Sequence, residues 1–223
     1  MMNKLLIFLA CITLFACKES KKTQTSEDRV ELSVLEKVAK AHGYDHWKNV
    51  RELSFTFNVD RDTAHFERSW KWKPVENVVT GIQFADTTTY MRKELDSTLM
   101  EVDASFINDK YWLLAPFNLV WDQKNFTFEL IENTPAPISK KPMQKLTIVY
   151  GNEGGYTPGD AYDFFFEDDY IIREWIFRKE NQEDPGLVTS WEDYESIEGL
   201  LISKMHKRED GTWSLSFTDI EVR

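Results

Sequence analysis

From Leu53 onward, apolar and polar side chains alternate along most of the chain. In the first such run, Leu53, Phe55, Phe57 and Val59 alternate with polar residues. The same period of two recurs in the runs 66–72, 126–130, 146–150, 162–166 and 213–217. Successive side chains of a β-strand point to opposite faces, so this pattern predicts strands with one buried face. Turn residues such as Asp210-Gly211 separate the runs, and short links of this kind predict an antiparallel meander.

Two segments show a helical period instead. Val30–Gly43 is predicted as an amphipathic helix because Leu35 and Val38 lie on one face, and Gly43 suits the position just after its end. Val102–Leu114 is predicted as a second, mid-chain helix, which Pro116 is expected to stop. Both helices are expected to cover one side of the sheet.

A period of two is compatible with a two-sheet sandwich or with one strongly curved antiparallel sheet, an unclosed β-barrel, around the helices. The chain has 8 Trp, 8 Tyr and 15 Phe, and large rigid rings can line a cavity as well as fill a core. This aromatic content favours the curved sheet. The predicted class is therefore mainly β (α+β), with the N-terminal and mid-chain helices covering the concave side.

Aromatic side chains of the predicted strands and helix are the candidates for lining such a cavity. Trp70 and Trp72 lie on one strand face, where two indoles could line an acyl pocket or stack on a sugar ring. For any single aromatic residue, a place in the core is the alternative. The full candidate set is Phe55, Phe57, Phe66, Trp70, Trp72, Trp112, Phe128 and Phe164.

The N-terminus has the pattern of a bacterial lipoprotein signal. A basic start is followed by the apolar run Leu5–Ala16 and then Cys17, which predicts a cleaved signal peptide over 1–16 and lipidation of Cys17. A plain secretory peptide is the alternative. The run is too short to span a bilayer as a helix, so membrane attachment is expected through acyl chains. The polar stretch 17–28 is expected to be a flexible tether, followed by a single domain over 29–223.

Charge and cysteine content exclude several classes of function. The chain has 27 Lys and Arg against 38 Asp and Glu, a net charge of −11, and such a surface repels nucleic acid and anionic lipid headgroups. The only other cysteine, Cys11, lies in the predicted signal peptide. Thiol catalysis, disulfides and cysteine metal sites are therefore excluded for the mature chain. We expect a monomer without a cofactor.

Short motifs near both ends resemble lipoprotein-carrier-like proteins of the LolA and LolB type. These motifs are Ala41-His42-Gly43, Trp47, Leu53-Ser54-Phe55, Trp191-Glu192-Asp193-Tyr194 and Gly199-Leu200. The resemblance implies a helix followed by an unclosed antiparallel barrel, helices at its mouth and acyl chains bound inside. It also implies an arginine inside the barrel that holds the lid. Arg68 and Arg92 lie in predicted strands and are candidates, with a solvent-facing position as the alternative.

Two longer strings resemble a family of Gram-negative lipoproteins of unknown function over nearly the whole mature chain. They are Phe106–Phe117 (FINDKYWLLAPF) and Tyr150–Asp160 (YGNEGGYTPGD). Lys18 after the cysteine is not the aspartate associated with retention in the inner membrane. The resemblance and this residue favour the outer membrane, on its periplasmic or cell-surface face.

Polar clusters give no clear catalytic or metal motif. His42 and His46 are four residues apart, but Gly43 interrupts the helix that would bring them together, so capping or packing is the preferred interpretation of His42. The acidic residues within Asp160–Asp169 do not have the spacing of a calcium loop, and a solvated rim is preferred. No serine-nucleophile motif accompanies His65 or His206.

The leading hypothesis is a lipid-anchored envelope protein that binds an apolar ligand, a lipid or the acyl chain of a lipoprotein, in a half-barrel cavity. The first alternative is a non-enzymatic interaction or assembly lipoprotein with a filled core, acting through the Glu153–Asp169 region. The second alternative is an envelope hydrolase.

Overall fold

The computed structural model describes residues 31–83, 86–153 and 156–223. The predicted signal peptide 1–16, the lipidation site Cys17 and the tether 17–28 lie outside the described residues and stay predictions. The expected single domain over 29–223 also stays a prediction.

The first helix, α1, spans Val34–Ala41 and lies within the predicted Val30–Gly43. It begins where Ser33 and Glu36 form a capping box: the Ser33 hydroxyl accepts the Glu36 N–H and the Glu36 carboxylate accepts the Ser33 N–H, which satisfies two backbone donors. Gly43 follows the helix with a φ of 86°, as predicted. A 3₁₀ helix, Tyr44–Asn49, leads into the first strand.

The second helix, α2, spans Ser97–Trp121 and is longer than the predicted Val102–Leu114. The Asp96 side chain accepts the Leu99 N–H at its start, at 2.8 Å. The predicted end at Leu114 is the residue at which the helix is broken (φ −122°, ψ 23°), but a second helical segment continues through Pro116 to Trp121, so Pro116 does not end α2. Proline removes one helical hydrogen bond, but the residues around it are almost fully buried. Packing of this segment compensates for the lost bond.

Antiparallel strands, with the turns and loops that connect them, make up most of the remaining described chain. Their bounds are β1 Leu53–Arg61, β2 Ala64–Lys73, β3 Val78–Gln83, β4 Asp86–Met91, β5 Phe126–Pro135, β6 Pro142–Tyr150, β7 Ala161–Phe166, β8 Ile172–Arg178, β9 Leu187–Ser190, β10 Glu192–Ile197, β11 Leu200–Lys207 and β12 Trp213–Val222. Seven strands pair in the order β10-β11-β12-β1-β2-β3-β4, and five in the order β5-β6-β7-β8-β9.

The two sheets meet at Trp191, the single residue between β9 and β10. Its N–H donates to the carbonyl oxygen of Arg173 at 2.7 Å, so the chain passes directly from the five-stranded sheet into the seven-stranded sheet. The two sheets together form one wall, the wall of the barrel. The end strands of this wall are β4 and β5, and no strand pairing joins them within 31–83, 86–153 and 156–223. The predicted fold class, an unclosed antiparallel barrel with helices on its concave side, is confirmed.

Helix α2 lies between the inner faces of the two sheets. Its Asp109 side chain bonds with Arg68 and Trp70 of β2, while the Trp112 ring lies 4.2 Å from the Trp175 ring of β8, measured between centroids. Most of the described aromatic side chains belong to one hydrophobic core, to which α2 contributes Phe106, Trp112 and Phe117. None of the described helices is both long and apolar enough to cross a bilayer.

Candidate functional site

A cavity of about 650 Å³ remains between α2 and the two sheets. Alternate residues of three strands point into it, as the period of two requires. These are Phe57, Val59 and Arg61 of β1, Trp175 and Phe177 of β8, and Trp213 and Leu215 of β12. Helix α2 contributes Ala104, Ile107, Asn108, Tyr111 and Trp112, and the loops contribute Tyr156, Thr157, Asp160, Gly186 and Arg208; Tyr162 of β7 and Leu187 of β9 complete the lining.

The deep end of the cavity is aromatic and buried. The Trp112 ring lies 4.2 Å from Trp175 and 5.9 Å from Trp213, and the Tyr162 ring lies 5.4 Å from Trp175. Trp175 is only 1% exposed. These rings contact one another along their edges and faces, an arrangement that keeps them rigid. They form a largely apolar surface inside the cavity.

The mouth of the cavity, defined here by Arg61, Tyr156 and Arg208, is exposed and polar. Asp160 is the one carboxylate in the lining, and it is buried, with its Oδ1 accepting the Glu180 N–H at 2.9 Å. The cavity therefore changes from charged at the surface to apolar inside.

One buried ion pair attaches α2 to the seven-stranded sheet beside the cavity. The Arg68 guanidinium donates twice to Asp109, at 2.9 and 2.8 Å, and the Trp70 indole N–H donates to the same carboxylate at 2.8 Å. Burial raises the pKa of Asp109, although the bonds from Arg68 favour the ionised form. The pair fixes the rotation of α2 against β2.

A second pair lies one to two turns earlier on α2. Arg92 donates to both oxygens of Asp103, at 2.7 and 3.1 Å, and the hydroxyls of Tyr90 and Tyr156 donate to the same carboxylate. Burial acts to raise the pKa of Asp103, but the bonds from Arg92 and Tyr156 outweigh it and hold the pKa below its usual value. Partial burial and the Asp103 charge raise the pKa of Tyr156 to about 12. Arg68 and Arg92 both point inward, not to solvent.

The eight aromatic candidates from the sequence lie in different places. Phe57 and Trp112 line the cavity, and Trp70 lines a smaller space of about 310 Å³ on the other side of α2. Phe55, Trp72 and Phe164 are buried in the core, Phe66 is half-buried, and Phe128 is 49% exposed on the end strand β5. Whether any of them touches a ligand stays a prediction.

Several cavity residues were missed in the sequence. Tyr162, Trp213 and Leu215 lie at apolar positions of alternating runs. The alternation showed that they face inward, but nothing in the runs distinguished cavity residues from core residues. Trp175 and Phe177 lie in β8, a segment without clean alternation. Only the three-dimensional packing shows that they face α2.

The polar clusters have structural partners. The His42 Nδ1 atom lies 2.8 Å from the Val38 carbonyl oxygen, and burial lowers the pKa of His42 to about 4, so it is a neutral packing residue. Asp163 is not part of a solvated rim: it is buried and paired with Arg178 and Thr147. Within the described ranges, no group of three His, Cys, Asp or Glu is placed to hold a metal ion.

No protein-family model matches the chain, and no curated protein matches it. Several solved structures are similar. A DUF1329 family protein from Desulfovibrio piger is 11% identical, with a TM-score of 0.49 over 85% of this chain and 91% of that chain. A LolA superfamily protein from Nitrosomonas europaea is 8% identical, with a TM-score of 0.49 over 85% and 92%.

A putative outer membrane lipoprotein-sorting protein domain from Vibrio parahaemolyticus is 6% identical, with a TM-score of 0.42 over 85% of this chain and 93% of that chain. A LolA superfamily protein is thus among the solved structures to which this chain is similar.

Proposed function

We propose that this protein is anchored to the cell envelope through lipidated Cys17, at the outer membrane, and binds one acyl chain in the cavity beside α2. The observation that carries the proposal is the apolar deep end of the cavity, formed by Trp112, Trp175 and Trp213. The lipoprotein pattern at the N-terminus supports the anchor.

The size of the cavity favours a single chain. Ligand cavities in proteins commonly measure about 300–1,000 Å³, and this one measures about 650 Å³. If a methylene group takes about the volume of a water molecule, roughly 30 Å³, the cavity holds on the order of 20 such groups. One long acyl chain fits this volume, whereas the several chains of a lipoprotein anchor do not.

Transfer of hydrocarbon from water supplies the driving force. Each buried methylene contributes about 0.8 kcal/mol, so even partial burial of a long chain offsets the loss of its translational and conformational freedom. The rigid indoles reduce the ordering cost on the protein side.

The direct test uses the full chain carrying Cys17→Ser, which cannot be lipidated. Native mass spectrometry is expected to detect a co-purified lipid, and a fluorescent fatty acid is expected to bind with one site per chain. Absence of both signals would remove the proposed function.

A matched pair of variants on α2 locates the site. Ala104 lines the cavity, whereas the next residue, Ser105, lines the smaller space on the other side of the helix. Ala104→Trp fills the cavity and is expected to lower fatty-acid affinity at least tenfold. Ser105→Trp adds the same ring to the same helix and is expected to leave the affinity unchanged. Equal affinities in the two variants would mean that the ligand binds elsewhere.

An interaction or assembly role is the second candidate, and a different surface supports it. On the end strand β5, Phe128, Leu130 and Ile131 are 49%, 38% and 40% exposed. β5 pairs with β6 on one side only, and the other edge of an apolar end strand can accept a strand from another chain. Photocrosslinking in membranes from position 128 and from position 104 separates the two roles. A ligand carrier traps lipid at position 104, and an adaptor traps protein at position 128.

A further inference from the structure

Two arginines lie together at the mouth of the cavity. Arg61, the last residue of β1, is the register partner of Trp213 on β12, and the Arg208 N–H donates to the Trp213 carbonyl oxygen at 3.1 Å. Both arginines are exposed, and both line the cavity together with the Trp213 ring. The backbone geometry therefore brings two cations to the same corner of the opening.

These arginines are available to a ligand, unlike the arginines around α2. Arg61 makes no salt bridge with any residue that the structure describes, and Arg208 has a single long contact of 3.9 Å with Asp210, in which both side chains are about half exposed (50% and 51%). Exposed pairs of this kind are worth about 0–1 kcal/mol. By contrast, Arg68 and Arg92 are held by two bonds each to buried carboxylates.

The charge of the lining is positive, although the whole chain has a net charge of −11. Asp160 is the one acidic residue in the lining, and its buried carboxylate accepts a backbone N–H from Glu180. Asp60 and Asp62 flank Arg61 in the sequence, and Glu209 and Asp210 follow Arg208, but none of these four carboxylates lines the cavity. Asp60 bonds instead with His65 at 2.8 Å. A local excess of cations at an opening attracts an anion.

We propose that the acyl ligand carries an anionic oxygen head group, a carboxylate or a phosphate, which Arg61 and Arg208 bind at the mouth of the cavity. This inference rests on the proposed function. The aromatic deep end excludes the head group because a buried unpaired charge is costly, so the head must stay at the exposed end. A guanidinium presents paired N–H donors that match both carboxylate and phosphate.

The test compares three ligands with the same chain and different heads: palmitate, hexadecyl phosphate and hexadecanol. Their dissociation constants are measured by displacement of a fluorescent probe from the Cys17→Ser chain. We expect at least one anion to bind about tenfold or more tightly than the alcohol, a difference that corresponds to about 1.4 kcal/mol. A preference for palmitate identifies a free fatty acid as the source of the head group, and a preference for hexadecyl phosphate identifies a single-chain phosphate lipid.

Arginine variants assign the preference to the mouth. Arg61→Gln and Arg208→Gln are each expected to reduce the preference for the anion several-fold while the affinity for hexadecanol stays the same. Arg51→Gln is the matched control, because Arg51 is an exposed arginine that precedes β1, at the opposite end of this strand from Arg61. It is expected to change neither affinity.

The outcomes separate this inference from the proposed function. Equal binding of all three ligands would overturn the anionic head group and leave the acyl-chain cavity standing. Binding of none of them would overturn both. An anion preference that survives both arginine variants would also overturn the inference, because the head group would then lie away from Arg61 and Arg208.

Discussion

The two parts of α2, before and after the kink at Leu114, are held in the protein by different interactions. Before the kink, the buried side chains include two carboxylates, Asp103 and Asp109, each paired with an arginine. After the kink, the buried side chains are mainly apolar, and Phe117 and Trp121 form ring contacts with Trp47.

The cavity explains this difference. It borders only the part of α2 before the kink, through Ala104 to Trp112, and a helix next to an open space lacks packing partners on one side. Directional bonds from Arg68 and Arg92 take the place of that packing and fix the helix. The part after the kink is positioned mainly by close packing, with one hydrogen bond from Lys110 Nζ to the Asn118 side chain at 3.4 Å. The comparison predicts that changes before the kink alter both stability and ligand binding, whereas changes after it alter stability alone.

The largest effect is expected for Asp109→Ala. It leaves the Arg68 charge and the Trp70 N–H without their partner, and breaking a buried pair typically costs about 3–5 kcal/mol. Because α2 would lose its attachment to β2, fatty-acid affinity should also fall. Urea denaturation and ligand titration measure the two effects.

An exposed pair supplies the control for Asp109→Ala. Glu195→Gln weakens the contact with Lys204 at 2.8 Å and is expected to cost less than about 1 kcal/mol. If the two variants were equally stable, the Arg68–Asp109 pair would not hold α2 in place.

Phe117→Leu is the corresponding change after the kink. The smaller side chain leaves a space among Tyr44, Trp47 and Trp121, and the expected loss is roughly 1–3 kcal/mol of unfolding free energy. Fatty-acid affinity, measured on the folded protein, should not change. A loss of affinity as large as that of Asp109→Ala would mean that the two parts of α2 act as one unit.

The sequence predicted the wall of the barrel better than its interior. Alternation located β1, β2, β5, β6, β7 and β12 because apolar residues recur at every second position of each strand. Burial itself does not always alternate: β5 is almost wholly exposed, and β7 is buried on both faces. In β10 the side chains are almost all exposed or half-buried, so there was no buried face to detect. Pro116 was expected to stop α2. Local propensity does not register burial, and it is burial that lets the helical segment after the kink continue.

The site depended on tertiary contacts that local patterns do not contain. Arg68 and Asp109 are 41 residues apart in sequence, and nothing in either segment specifies the pair. Phe128 has the alternation of an inward residue, and its register partner Ile148 is fully buried. It is exposed because β5 is the end strand of the wall. The aromatic content indicated a cavity, but the sequence could not separate the rings that line it from those that fill the core.

The pH dependence of stability tests the junction between the two parts of α2, where His206 packs against Trp112 with ring centroids 5.3 Å apart. Burial lowers the pKa of His206 from 6.5 to about 3. The unfolded chain therefore binds a proton that the folded chain does not as the pH falls below 6.5, and stability is lost over the window from 6.5 to about 3. Between about pH 7.5 and about pH 5 this one group should remove about 2 kcal/mol.

Two histidine variants isolate that contribution. His206→Leu removes the group from its apolar site, and the variant should lose about 2 kcal/mol less than the unchanged protein over the same pH range. His65→Gln is the control. His65 is exposed, and its bond with Asp60 raises its pKa, so this group acts in the opposite direction and its removal should not reduce the loss of stability at low pH. A pH profile of denaturation midpoints that is the same for His206→Leu and the unchanged protein would show that His206 is already protonated or exposed in the fold.

The smallest expected effects come from two tyrosine variants that both affect the carboxylate of Asp103, one of which should change ligand binding as well as stability. Tyr156 and Tyr90 donate to opposite oxygens of Asp103, at 2.8 and 3.0 Å, but only Tyr156 lines the cavity. Removing either hydroxyl costs about 1 kcal/mol. Tyr156→Phe should also increase the dissociation rate of a fluorescent fatty acid, because the loop that carries it would be released from α2 at the mouth. Tyr90→Phe should leave that rate unchanged. Stopped-flow displacement measures both rates, and a faster release in Tyr90→Phe than in Tyr156→Phe would show that Asp103 controls the cavity through the sheet and not through the loop.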